Sequence, residues 1–230
     1  MTAAGTRARV RAALTREIVD VARRHLATDG PSGLSLRAVA RELGMASSAV
    51  YRYFPSRDDL LTALIVEAYD ALGDATEQAD APVPRGDLRA RFAAVCRAVR
   101  GWALAHPHEY ALVYGSPVPG YAAPTATVGP AARVGTLLGA ILADGVADGR
   151  VHPGTDGADA TLHPGVAAAI GLPPGGTGSL AARAVQAWTA VYGLVSFVLF
   201  GHLHNVVDRR DEYFAAAVDR LADPLGLPPG

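Results

Sequence analysis

Ser47-Ser48-Ala49-Val50-Tyr51-Arg52-Tyr53 brings together the side-chain types that read and grip a nucleic-acid duplex. Serine hydroxyls both donate and accept, so Ser47 and Ser48 can bond to several base edges, and the Ala49 methyl suits contact with a thymine methyl. Arg52 can reach a base or a phosphate. Arg57 opens the next helix, where its charge and the free N–H groups favour a phosphate, and Arg37 upstream is a second phosphate candidate. Taken together, the chemistry is reversible recognition of duplex DNA, with phosphates positioning the protein and base edges specifying the site.

Such side chains need a support that enters the major groove. Ser35-Leu36-Arg37-Ala38-Val39-Ala40-Arg41-Glu42-Leu43 predicts a short helix capped by Ser35, with Leu36, Val39, Ala40 and Leu43 on one apolar face. Gly44 allows the left-handed backbone that ends a helix, and a second helix is expected near 47–53. This is a helix-turn-helix layout, and Ser35 is counted among its DNA-binding candidates. A supporting helix is expected over about Val10–Thr28, with residues 1–9 disordered. A fourth begins at Ser56, where Ser56-x-x-Asp59 forms a variant capping box, and continues to about Glu77.

Gly30, Leu34-Ser35-Leu36 with Val39-Ala40, Gly44, and Tyr51-Arg52-Tyr53-Phe54-Pro55-Ser56-Arg57-Asp58-Asp59-Leu60-Leu61 occur in an order and spacing that resembles the tetracycline-repressor-like (TetR) family of bacterial transcription regulators, across roughly residues 10–75. The family usually has a serine where this chain has Ala46, which points to Ser47 as the cap of the recognition helix. By the same resemblance, Tyr51 and Tyr53 belong to the DNA backbone or the groove wall. Ala103 to Tyr110, Pro117-x-Pro119-Gly120-Tyr121 and Trp188-x-x-x-Tyr192-Gly193-Leu194-Val195-Ser196-x-x-x-Phe200-Gly201-His202 look like the WHG-type C-terminal domain of one TetR branch, over roughly residues 85–222. The resemblance implies an all-α, ligand-responsive regulator, a repressor that binds an inverted-repeat operator as a homodimer and is released by a small effector. The expected domains are 10–60 for helix-turn-helix DNA binding and 61–224 for effector binding and dimerisation, with a Gly/Pro-rich loop over 148–179.

Composition agrees with a DNA-facing front. Every one of the 21 basic residues is arginine, which we read as codon bias from a GC-rich genome. Residues 1–57 carry a balance of +6 and the remainder −7, within a net charge of −1. A basic front and an acidic rear suit a protein whose front alone meets phosphate. Cys96 is the lone cysteine, so no intrachain disulfide or cysteine metal cluster arises. No signal peptide is visible. The stretch Ala184–Val207 lacks Arg, Asp and Glu, but it contains Gln186, Thr189, Ser196, His202, His204 and Asn205 and reads as a buried helix of a soluble, cytoplasmic protein.

In the rear, helices are expected over about Leu88–Ala105, His108–Tyr114, 125–147, Leu180–Val207 and Arg210–Ala222, with a short helix at Val166–Ile170 inside the long loop. Trp102, Tyr110, Tyr114, Tyr121, Trp188 and Tyr192 are large rings with one polar edge; they suit a pocket for an apolar or aromatic molecule and serve equally well as plain core. The helix over 180–207 is apolar nearly all round, which calls for a partner, and Leu194, Phe197, Val198, Gly201 and Val218 are expected at a dimer interface. Gly193 and Gly201 would let helices approach closely. His202 and His204, two apart on a helix, diverge by about 200° and share no metal; no cofactor is expected. Nucleophile-elbow, His-Glu-x-x-His and phosphate-loop patterns are absent, so enzymatic activity is not expected. The competing reading is a helical small-molecule-binding protein or enzyme with a vestigial DNA-binding end, from which the chain's Tyr51, Tyr53 and Arg57 point away.

Overall fold

The computed structural model describes residues 3–154, 161–173 and 176–228. Its helices, in chain order, are α1 (Ala3–Gly33), α2 (Leu36–Glu42), α3 (Ser47–Val50), α4 (Arg57–Asp80), α5 (Leu88–Ala105), α6 (Pro107–Tyr114), α7 (Val128–Ala147), α8 (Val166–Ala169), α9 (Gly178–Leu199) and α10 (Arg210–Ala222). No strand occurs among the described residues. Two compact units result: residues 1–69 with 106–128, and residues 70–105 with 129–230. The sequence placed 106–128 with the rear domain. Its helix α6 packs instead on α1, and Leu112 joins the front core.

The front unit is built on α1. Ile18, Val19, Val21, Ala22 and Leu26 recur at helical spacing and are buried, meeting Leu36, Val39 and Ala40 of α2, Val50 of α3 and Leu60, Leu61 and Leu64 of α4. α1 starts at Ala3, so the disorder expected for residues 1–9 does not hold from residue 3 onward. Alanine and arginine, strong helix formers, dominate this stretch. The helix breaks at Gly30, whose φ is 69°, and Pro31 opens a last short turn. Polar clasps fix the packing. Arg23 pairs with Asp20 and Glu67 at 2.6 Å and with Glu109 at 3.3 Å. Glu42 at the end of α2 accepts from Arg24 and meets His25, and the Arg24 hydrogen bond holds its carboxyl below the usual range.

In the rear unit α5 packs against α9 and α10, and α10 against α9. Leu88, Phe92, Val95, Val99 and Trp102 of α5 are buried, on the face the sequence assigned to the core. α9 ends at Leu199, short of the expected 207. Gly201 adopts φ 82°, and the Leu203 N–H returns to the Phe197 carbonyl, closing the helix end. His202 and His204 therefore lie in a turn, and the helical argument against a shared metal does not apply to them. The 125–147 helix resolves into a 3-10 turn, Thr125–Thr127, followed by α7.

Two arginines tie this unit together. Arg91 of α5 is 1% exposed; it bonds both carboxylate oxygens of Asp80, at 2.8 and 3.1 Å, and Asp144 of α7 at 2.6 Å. Arg133 of α7 reaches Asp70, Asp74 and Glu77, three carboxylates along α4. Burial alone would raise the Asp80 carboxyl, but hydrogen bonds and charge from Arg91 and Arg85 outweigh it and hold the group below its ordinary value. The native form therefore binds its proton less readily than the unfolded chain does. The resulting stability is complete above the unfolded carboxylate range and is lost as pH falls through the depressed native value. Asp80→Ala leaves Arg91 buried with half its partners gone and should destabilise the fold by about 3–5 kcal/mol. Thermal melting across acid pH should show the wild type losing stability as the pair protonates and the variant losing correspondingly less.

Candidate nucleic-acid interface

Ser35 caps α2, its hydroxyl accepting from the Ala38 N–H at 3.4 Å, while Leu36, Val39 and Ala40 are buried. Arg37 is thereby left exposed. Gly44, with φ 63°, turns the chain, and the Met45 N–H bonds the Ala40 carbonyl at 2.9 Å. α3 follows as a single turn anchored by Val50, which is wholly buried. Ser48 is exposed; Ser47 and Ala49 are half-buried. The cap position belongs to Ala46, which makes no side-chain cap bond. The expectation that Ser47 caps this helix therefore fails: it is the first residue inside the helix, and its hydroxyl is not committed to capping. α3 is also shorter than the predicted 47–53, because Tyr51–Tyr53 tighten into a turn in which the Tyr53 N–H bonds the Val50 carbonyl.

Tyr51 and Arg52 stand exposed, whereas Tyr53 is half-buried against the core. The Arg11 guanidinium lies 5.0 Å from the Tyr53 ring centre and donates to the Arg52 carbonyl at 3.3 Å, linking α1 to this turn. Ser56 caps α4: its hydroxyl accepts from the Asp59 N–H at 3.1 Å and donates to the Asp59 carboxylate at 2.6 Å. Arg57 donates to the Pro31 carbonyl in the last turn of α1 at 2.7 Å and neighbours Asp58 at 3.5 Å, so part of its guanidinium is engaged within the front unit while the side chain remains partly exposed.

The six aromatic residues expected to share a pocket fall into both units. Tyr110 and Tyr114 pack ring to ring, Tyr114 also meets Tyr69 edge-on, and the Tyr121 hydroxyl bonds Thr62 at 2.9 Å; these three tyrosines belong to the front unit's packing. Trp102 and Tyr192 are buried in the rear unit. Trp188, 39% exposed, lines an apolar cleft of about 240 Å³ between α7 and α9. The rest of that wall escaped the sequence reading: Ala131, Gly135, Leu138 and Gly139 of α7 and Ile170 beside α8. Their three- and four-residue spacing was the available signal.

A second apolar groove runs between α9 and α10, lined by Leu194, Phe197, Tyr213 and Leu221 among others. Phe197 is 53% exposed and Tyr213 42%. Val198 is half-buried. One of the expected interface residues is corrected: Val218 is 2% exposed and packs within the protomer, facing α5. Gly201 follows the end of α9 with a left-handed backbone.

Comparison with known proteins gives a consistent result. Residues 18–64 match the family described as bacterial regulatory proteins, tetR family, and residues 92–221 match the tetracyclin repressor-like C-terminal domain. The HTH-type transcriptional regulator Rv1816 of Mycobacterium tuberculosis is 42% identical over 202 residues, covering 86% of this chain and 85% of that protein. A crystal structure of SCO4313, solved as a candidate regulatory protein, is 35% identical with a TM-score of 0.78, covering 94% of this chain and 98% of that one. RolR in complex with resorcinol shares the fold at 19% identity and a TM-score of 0.53, covering 96% and 97%.

The geometry separates readers from grippers. Ser48→Ala should alter preference at one base-pair position of a half-site by about 1–3 kcal/mol, whereas Arg37→Ala should weaken binding evenly across sequences and lower the salt slope by about 1 per protomer. Competitive binding of randomised duplexes at several salt concentrations separates the two.

Proposed function

The chain belongs to the TetR family of DNA-binding transcription regulators, and from that premise we propose that it is a cytoplasmic, homodimeric repressor that grips an inverted-repeat operator and is released by a small apolar effector. The observation that carries the effector reading is the cleft between α7 and α9. It is lined by small aliphatic residues, Ile170 and Trp188, with no charged side chain in its wall among the described residues. Its volume suits a single neutral ring better than a drug-sized molecule. Resorcinol, the ligand of the structural neighbour RolR, is a compound of that class.

Dimerisation is supported by α9. One face buries Leu180, Ala187, Val191 and Val195, while Phe197 and the neighbouring Tyr213 of α10 remain exposed along a groove. A two-fold dimer would place the same patch of both protomers in contact, and two recognition elements so related require an inverted repeat. The alternative of a vestigial DNA-binding end loses support from the exposed Ser48, Tyr51 and Arg52 on a fully buried scaffold.

Coupling would run through α7. Its cleft-facing residues Ala131, Ala132 and Gly135 bracket Arg133, which clasps the carboxylates of α4. α4 continues along the chain into the front unit. A ligand shifts operator affinity only by its differential affinity for the two states, so a coupling of about 1–3 kcal/mol would change binding about 5–150-fold.

Light scattering at micromolar concentration should give a dimer, and Phe197→Asp should give a monomer that has lost operator binding; a monomeric wild type rejects the interface. With resorcinol and related small phenols as probes, Trp188→Ala should raise the concentration needed for operator release while leaving ligand-free binding intact. Arg133→Ala should retain phenol binding by calorimetry yet show a reduced release response. A Trp188→Ala protein that folds, dimerises and responds at the wild-type concentration overturns the cleft assignment.

A further inference from the structure

The first turns of α1 form a basic surface that the helix-turn-helix reading does not use. Arg7, Arg9, Arg11 and Arg16 precede the first acidic residue, Glu17. All four are exposed, and helical spacing puts Arg7 and Arg11 together on one face. An open groove lined by Thr6, Arg7, Val10, Arg11 and Tyr53 joins this surface to the turn that follows α3. Arg11 sets the alignment, with its guanidinium over the Tyr53 ring and a hydrogen bond to the Arg52 carbonyl. The basic surface is therefore continuous with the DNA-facing turn.

We infer that the helical extension Ala3–Arg11 is a second DNA-binding element, which lies along the sugar–phosphate backbone flanking each operator half-site. Arg7 precedes Arg11 by one helical turn, on the same face and about 6 Å further from Tyr53. From Ala3 to Arg11 the helix rises about 12 Å, a length matched by roughly three base pairs. Val10, 61% exposed beside Tyr53, supplies an apolar strip for deoxyribose carbons between arginines that meet phosphates. Sequence would not be read here, because arginines set on backbone phosphates position without specifying. The extension would lengthen the footprint and steepen the salt dependence without changing base preference.

This inference rests on the DNA-binding reading, and the test keeps the two apart. The full-length dimer is footprinted on the duplex upstream of its own gene, and affinity is then measured on the protected repeat with long flanks and with flanks trimmed to the repeat edges. The wild type should lose affinity on trimming. R7A, in which alanine preserves the helix, should lose the flank dependence, and its slope of log affinity against log salt should be shallower by about 2, because each dimer then lacks two phosphate-binding arginines. R7K should restore both the slope and the flank dependence. Equal base preference in all three proteins is expected. If the wild type binds specifically but is indifferent to flank length, or R7A keeps the wild-type slope, the inference fails and the helix-turn-helix assignment stands. If the wild type shows no specific binding, the regulator reading itself fails and takes the inference with it.

Discussion

Arg91 is withdrawn almost entirely from water, so its charge must be answered inside the protein. Asp80 answers it with both carboxylate oxygens, and Asp144 takes the remaining fork. Isolated burial of either charge would cost several kcal/mol, which makes the three side chains interdependent. They come from the end of α4, from α5 and from α7, so the ends of three helices are fixed to one planar group. Arg133 repeats the arrangement a few turns along α4, and it needs Gly73 to do so: a Cβ there would stand 2.5 Å from its Nε. α7 cannot shift along α4 without breaking two sets of charge-assisted bonds. The cleft wall on its other side inherits that registry.

The charge asymmetry of the chain overstates what is available to DNA. Of the ten arginines in residues 1–57, Arg23 and Arg24 clasp carboxylates of the front unit, and Arg57 bonds the last turn of α1. Arg37 and Arg52 stand exposed on the reading side. A chain without lysine must use one cation type for two tasks. A planar fork serves both, because bidentate carboxylate pairing and phosphate contact use the same donors. Only partners and burial tell the two groups apart, and residue type alone does not show them.

Legibility in the sequence followed the range of the deciding interaction. α5 and α10 lie where periodicity put them, because one apolar stripe and flanking breakers decide a helix locally. Ser35 and Ser56 were likewise readable as caps. The end of α9 was not, since Gly193 is helical and Gly201 left-handed with nothing in the adjacent letters to distinguish them. The allegiance of α6 to the front unit rests on contacts such as Arg23 with Glu109, far apart in the chain. The helix-turn-helix layout was legible from local signals, but the cap and length of the recognition helix were not, nor was the aromatic pocket. Ring size drew attention to Tyr110 and Tyr114, whose faces are occupied by each other and by Tyr69.

The cleft is made instead by missing volume. Gly139 lies so close to the segment carrying α8 that an added Cβ would overlap the Ile170 carbonyl, and Gly135 approaches the Ile170 side chain. Helix α7 thus presents glycines and alanines where α8 and α9 converge, while Arg133, on the same helix, faces the carboxylates of α4. A close-packed interface of this kind responds to added volume by moving between discrete arrangements more readily than by continuous deformation. Filling the small-residue side of α7 therefore acts on the same helix that Arg133 registers against α4. Under the proposed effector reading, the chemistry of the cleft would select what enters, and the charge clasp on the opposite face would determine which helix its entry disturbs.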